Sequence, residues 1–148
     1  MIIVLVGCSE SNKICNQDLS NNNLDFNTSH NTIKEMMGYE RSGDQDNEFE
    51  TYYFQLEESI YTNTVGVPKV ICVIDNTVFA YSVFYKLSTI EQSQELMNLI
   101  LLDCGEEKID SIYRGKSLSW GNEKVDYKLY LSEYDVLNTV IFNCEEKK

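Results

Sequence analysis

The chain has 148 residues, with 24 acidic against 12 basic side chains, one histidine, one proline and five cysteines. At this length one domain is expected, and a hydrophobic fraction of 43% is too rich for a disordered chain. A net charge of −12 excludes nucleic acid as a partner, because phosphate binding needs Lys and Arg, and it disfavours docking of the folded body on anionic lipid.

In chain order, the first segment is Met1-Ile2-Ile3-Val4-Leu5-Val6-Gly7-Cys8. Its apolar run is far below the roughly 20 residues of a transmembrane helix. It is also shorter than the roughly 7–15 residue core of a secretory signal, and no Lys or Arg precedes it. Leu5-Val6-Gly7-Cys8 resembles the lipobox of bacterial lipoproteins: a branched apolar residue, a tolerated position, a small residue, then cysteine. The resemblance implies cleavage before Cys8, a diacylglyceryl group on its sulfur and an acylated new N-terminus. Residues 1–7 would then be a truncated signal-peptide remnant, its basic region missing because of a start assigned too far downstream. The partner implied is a membrane, held through Cys8 as the lipid anchor, and the location a bacterial cell envelope, facing the periplasm or the exterior. The alternative is an ordinary first strand over residues 2–6. Ser9 to Asn27 carries six asparagines and no hydrophobic period, so residues 8–27 are expected to be the lipidated cysteine and a polar tether. A flexible tether of that length spans about 25 Å.

Residues 28–148 are expected to form one α+β domain. Cap-type residues at Thr28 and Ser29 precede Ile33-Lys34-Glu35-Met36-Met37 and a glycine stop at Gly38, which predicts a short helix. Arg41 to Glu48 reads as a polar acidic loop, Phe49 to Leu56 as an aromatic strand, and Glu57 to Pro68 as a second loop. Lys69 to Ile74 and Thr77 to Tyr85, joined by Asp75-Asn76, predict a hairpin. Ser88-Thr89-Ile90-Glu91 matches a capping box with Ser88 as the cap. It opens a helix carrying Ile90, Met97, Ile100 and Leu101 on one stripe, widened by Leu96 and Leu99, and ending at Gly105. Strands are then expected at Ile109 to Trp120, at Val125 to Leu131 with period-2 alternation, and at Val136 to Cys144. The order reads as two α-β-β-β units, with two helices packed on one face of an antiparallel sheet. This spacing, over roughly residues 28–144, is similar to the beta-lactamase-inhibitor-like architecture of small secreted bacterial proteins.

Few residues invite chemistry. With Cys8 lipidated, Cys15, Cys72, Cys104 and Cys144 remain, an even number with three possible pairings in an oxidising compartment. Cys72 and Cys144 lie in apolar strands and are expected to pack as small hydrophobes; Cys15 is expected in the tether. No Cys-x-x-Cys occurs, and His30 reads as an exposed residue near the first helix start, so neither a zinc site nor a Cys–His dyad is supported. Gly115-Lys116-Ser117 lacks the earlier glycine of a phosphate loop, and Asp44 to Glu48 lacks the turn glycine of a calcium loop. No catalytic residue, metal or cofactor is assigned. The remaining signal is aromatic: Tyr52, Tyr53, Tyr81, Tyr85, Tyr113, Trp120, Tyr127 and Tyr130 all fall on expected strands, and the outer sheet face is the expected binding surface. The function expected is a non-catalytic binding module of the cell envelope with a protein partner. Its rivals are an acidic inhibitor or immunity-type protein that blocks a basic enzyme, and a small carboxylate-based hydrolase.

Overall fold

The computed structural model describes residues 13–37, 41–42, 50–61, 65–134 and 136–147. Cys8 and the lipobox-like segment lie outside these residues. The elements are α1 (Gln17–Ser20), α2 (His30–Met37), β1 (Arg41–Ser42), β2 (Glu50–Gln55), β3 (Lys69–Asp75), β4 (Thr77–Leu87), α3 (Ile90–Asp103), β5 (Ser117–Gly121), β6 (Val125–Leu131) and β7 (Asn138–Glu146). All strands pair antiparallel in one sheet of order β1-β2-β3-β4-β7-β6-β5. The class is α+β, and the short β1 adds a strand inside the stretch expected to be a polar loop.

Alternation sorts each strand into an inner and an outer face. One row crosses the sheet on the inner side: Tyr52, Cys72, Tyr81, Cys144, Tyr127 and Trp120 stand opposite one another from β2 to β5. Val83, Tyr85, Leu129, Val140 and Phe142 extend this face and are fully buried. Helix α3 covers its centre, over β4, β6 and β7, through Leu96, Met97, Ile100 and Leu101. Helix α2 sits over β2 near the sheet edge, with Ile33 buried.

The rest of the inner face is covered by residues 13–28, which corrects the expectation of a free tether and of a domain beginning at residue 28. Ile14, Leu19, Leu24 and Phe26 are buried in the common core, and Asn16 and Asp18 are buried with them. Asn16 caps α1 by accepting from Leu19 N at 3.2 Å. The four apolar residues are spaced irregularly and separated by Asn, Asp and Ser, so neither helical nor strand periodicity reveals them.

Helix α3 starts one residue later than its sequence suggests. Thr89 is the cap, accepting from Gln92 N at 3.2 Å, and the Gln92 side chain returns to Ser88 N at 3.1 Å. Its end is as expected: Gly105 at φ 73° follows the last turn, Glu106 N donates to Leu101 O and Gly105 N to Leu102 O. Two strand boundaries also differ. Residues 109–116 form no regular strand before β5, because Asn98 and Gln94 of α3 take up the backbone of Ile109 and Asp110. Strand β7 begins at Asn138, and Val136, expected to open it, is 98% exposed.

Candidate functional site

The tyrosines divide between core and surface. Tyr52, Tyr81, Tyr85 and Tyr127 are buried, with rings in the core and hydroxyls aimed at the chain's first elements. Tyr81 OH donates to Asp25 O at 2.6 Å, Tyr85 OH donates to an Asp18 carboxylate oxygen at 2.8 Å, and Tyr127 OH meets the backbone of Cys15. Tyr61, from the loop before β3, accepts from Gln17 N at 2.7 Å. Tyr61, Tyr81, Tyr85 and Tyr127 thus hold residues 13–28, the N-terminal strap, on the sheet, while Tyr52 OH bonds His30 and donates to Glu50. The burial of Tyr52, Tyr81, Tyr85 and Tyr127 corrects the reading of those four as a partner surface. Among the described tyrosines, only Tyr53 and Tyr130 stand on the outer sheet face; Tyr113 is exposed but lies outside any strand, and Trp120 stacks on Tyr127 at 5.6 Å on the inner side.

The cysteines divide as well. Cys15 and Cys104 form a disulfide, with Cα atoms 4.9 Å apart, that ties the strap to the end of α3. Cys72 and Cys144 are free thiols buried on either side of Tyr81. Burial pushes the Cys72 thiol up to about 12 and raises that of Cys144 as well, so neither supplies a thiolate at neutral pH.

Two clusters carry titratable groups. Asp18 is buried, with Oδ2 accepting from Ser59 Oγ at 2.6 Å and from Tyr85 OH, and Oδ1 from Ile60 N at 2.8 Å. Its oxygens are engaged in joining the strap, the 57–61 loop and β4, as buried carboxylates require. His30 is not an isolated surface residue: Nε2 lies 2.6 Å from Glu50 Oε2 and bonds Tyr52 OH, beside a hollow edged by Ser29, Asp75 and Asn76. No group of three or more His, Cys, Asp or Glu side chains is placed to hold a metal among the described residues. Gly115-Lys116-Ser117 forms a turn into β5, with Gly115 N donating to Leu131 O, so no helix N-terminus faces an anion there. The Asp44 to Glu48 stretch lies outside the described residues.

Two surfaces could receive a partner. The outer sheet face carries Tyr53, Ile71, Phe84, Ile141 and Tyr130 among Lys69, Lys86 and Lys128. It is less open than expected, since Thr139 is 2% and Ile141 8% exposed. The second surface is the solvent side of α3, where a groove of about 820 Å³ runs between the helix and residues 106–108. Leu99 and Leu102 line it, 42% and 73% exposed, and Glu91, Glu95 and Glu106 edge it. Its second wall is held in place by the Asn98 side chain, which bonds both N and O of Ile109 at 2.8 and 3.1 Å.

Leu99 was expected on the buried stripe and Ile90 with it; both are over 40% exposed. A signal for this surface does exist in the sequence. Leu99-Ile100-Leu101-Leu102 are consecutive, and at about 100° per residue four neighbours on a helix cannot all face one core. In comparisons with protein-family models, curated proteins and solved structures, the chain finds no match.

Proposed function

We propose that the chain is an exported, non-catalytic binding module of the bacterial cell envelope, anchored to a membrane through a lipidated Cys8. The observation that carries this reading is the Cys15–Cys104 disulfide. Such bonds persist in the periplasm and outside the cell and are rare in the reducing cytosol. The lipobox-like Leu5-Val6-Gly7-Cys8 ends seven residues before Cys15, so export and anchoring are supported by neighbouring parts of one sequence. Several acyl chains on one cysteine would hold the chain firmly, whereas one chain binds only marginally.

The internal tandem of two α-β-β-β units belongs to the same proposal. In its favour, α2 precedes β2–β4, α3 precedes β5–β7, and the last strand of each set, β4 and β7, pair at the sheet centre. The helices are placed differently, α2 near the edge and α3 over the middle. This arrangement resembles the beta-lactamase-inhibitor-like architecture in element order. Co-expressed fragments 1–87 and 88–148 should reassemble through the β4–β7 pairing; fragments that never associate would count against two units.

The anchoring test uses expression in a bacterium behind a complete signal sequence. The protein should partition with membranes and Cys8→Ser should release or misprocess it, while thiol trapping should find Cys15 and Cys104 oxidised. A wild type that is soluble and unlipidated ends the anchor reading, and one that is fully reduced in its native compartment ends the export reading.

A further inference from the structure

We infer that the groove on the solvent side of α3 is a docking site for a cationic amphipathic helix of a partner protein. The inference deepens the binding-module reading by naming a surface and a partner chemistry, and it rests on that reading for its physiological setting only. Over residues 90–110 there are six acids, Glu91, Glu95, Asp103, Glu106, Glu107 and Asp110, against one base, Lys108. The outer sheet face is more balanced, with Lys69, Lys86 and Lys128 against Asp126 and Glu145 on the same face. The groove itself is net negative, with Glu91, Glu95 and Glu106 against Lys108 in its lining, and its field favours a positively charged visitor.

Charge alone would not mark a site. The second observation is apolar: Leu102 is 73% exposed and Leu99 42%, one turn apart on a rigid helix and framed by carboxylates. Residues three apart stand on one side of a helix, so the pair offers a short apolar ridge. A partner helix can lay its own apolar stripe there while its Lys and Arg side chains meet Glu91, Glu95 and Glu106. Helix α3 has 14 residues, about 21 Å of docking length. The wall at 106–110 is pinned by Gln94 and Asn98, so the groove is formed before anything binds. An anionic lipid surface is disfavoured as the occupant by the same acids.

The test uses the full oxidised chain and a synthetic 14-residue Leu/Lys peptide with its leucines on one helical face. A second peptide of identical composition has that face scrambled. The ordered peptide should bind at least tenfold more tightly than the scrambled one, and Leu102→Ser and Leu99→Ser should each weaken it about tenfold. Glu91→Gln with Glu95→Gln should weaken binding and flatten its salt dependence, whereas Tyr53→Ser on the outer face should leave it unchanged. Equal binding of the scrambled peptide, or no effect of Leu102→Ser in a variant that keeps the wild-type urea midpoint, overturns the inference. Self-association of the free chain that Leu102→Ser abolishes overturns it too, by assigning the groove to a second copy. Because the assay is done in solution, its outcome is independent of lipidation at Cys8.

Discussion

Residues 13–28 and helix α3 cover the same sheet face by different physical means. Helix α3 does so with a stripe of Leu96, Met97, Ile100 and Leu101, and its backbone is satisfied within the helix. The N-terminal strap places only four apolar side chains in the core; much of its hold comes from polar contacts, Asp18 to Ser59, Ile60 and Tyr85, Gln17 to Tyr61, and Asp25 to Tyr81. A segment can thus be buried without looking hydrophobic, provided the sheet beneath it presents hydroxyls. The tyrosine content has its explanation there: each inner-face ring fills the core and offers one polar atom to whatever lies above it.

Breaking the cross-link between the two covers should have the largest effect. The Cys15–Cys104 bond has a sequence separation of 89. Cys15→Ser should therefore lower stability by about 4–5 kcal/mol, read from urea denaturation. A loss below about 1 kcal/mol would mean that the polar contacts alone hold the strap. Truncating the apolar cover comes next: Ile100→Ala empties a fully buried site and should cost about 3 kcal/mol. Asp18→Ala, the corresponding cut in the polar cover, strands the Ser59, Tyr85 and Ile60 donors and should cost about 2–3 kcal/mol. Asp18→Leu costing less than Ala would show that packing, not hydrogen bonding, dominates at that position.

Alkaline pH should separate the covers without mutation. Burial raises the hydroxyls of Tyr61, Tyr81, Tyr85 and Tyr127 above their ordinary value of 10.0 and the Cys72 thiol from 9.0 to about 12. Above these ordinary values the unfolded chain loses protons that the fold retains, so the stability present below pH 9 declines as pH rises. Each such group should contribute about 1.4 kcal/mol per pH unit of loss, first from the thiols above pH 9 and then from the tyrosines above 10. Since those hydroxyls bear on the strap, its amides should lose hydrogen-exchange protection before those of α3. Simultaneous loss in both would remove the distinction. The smallest effect is confined to α3: Thr89→Ala should cost about 1 kcal/mol, and an equal loss in Ser88→Ala would return the cap to Ser88.

The two covers also differ in how much of them could be read in advance. The hairpin at Asp75-Asn76, the alternation of Val125 to Leu131 and the stop at Gly105 follow local rules, and each stands where those rules put it. The strap does not, because the partners of Asn16 and Asp18 lie 40 to 70 residues away and leave no local periodicity. His30 stands at the helix start where it is expected, but its partners Glu50 and Tyr52 come from β2 and escape a local reading for the same reason. The groove was partly legible: the acids and the four-residue apolar run are local, but which leucines face outward depends on how α3 is rotated over β4 and β7.

The disulfide also decides how the fold bears mechanical load. A pull on the chain ahead of Cys15 meets the cross-link almost at once and passes through Cys104 into the end of α3, over the sheet centre. The strap beyond Cys15 stays slack, and its hydrogen bonds to Tyr81 and Tyr85 are spared the sequential peeling that an uncrosslinked end would suffer. Tension is delivered instead to the helix that also carries the acidic groove, so the domain can be held from its leading end while the strap's contacts on the sheet stay in register.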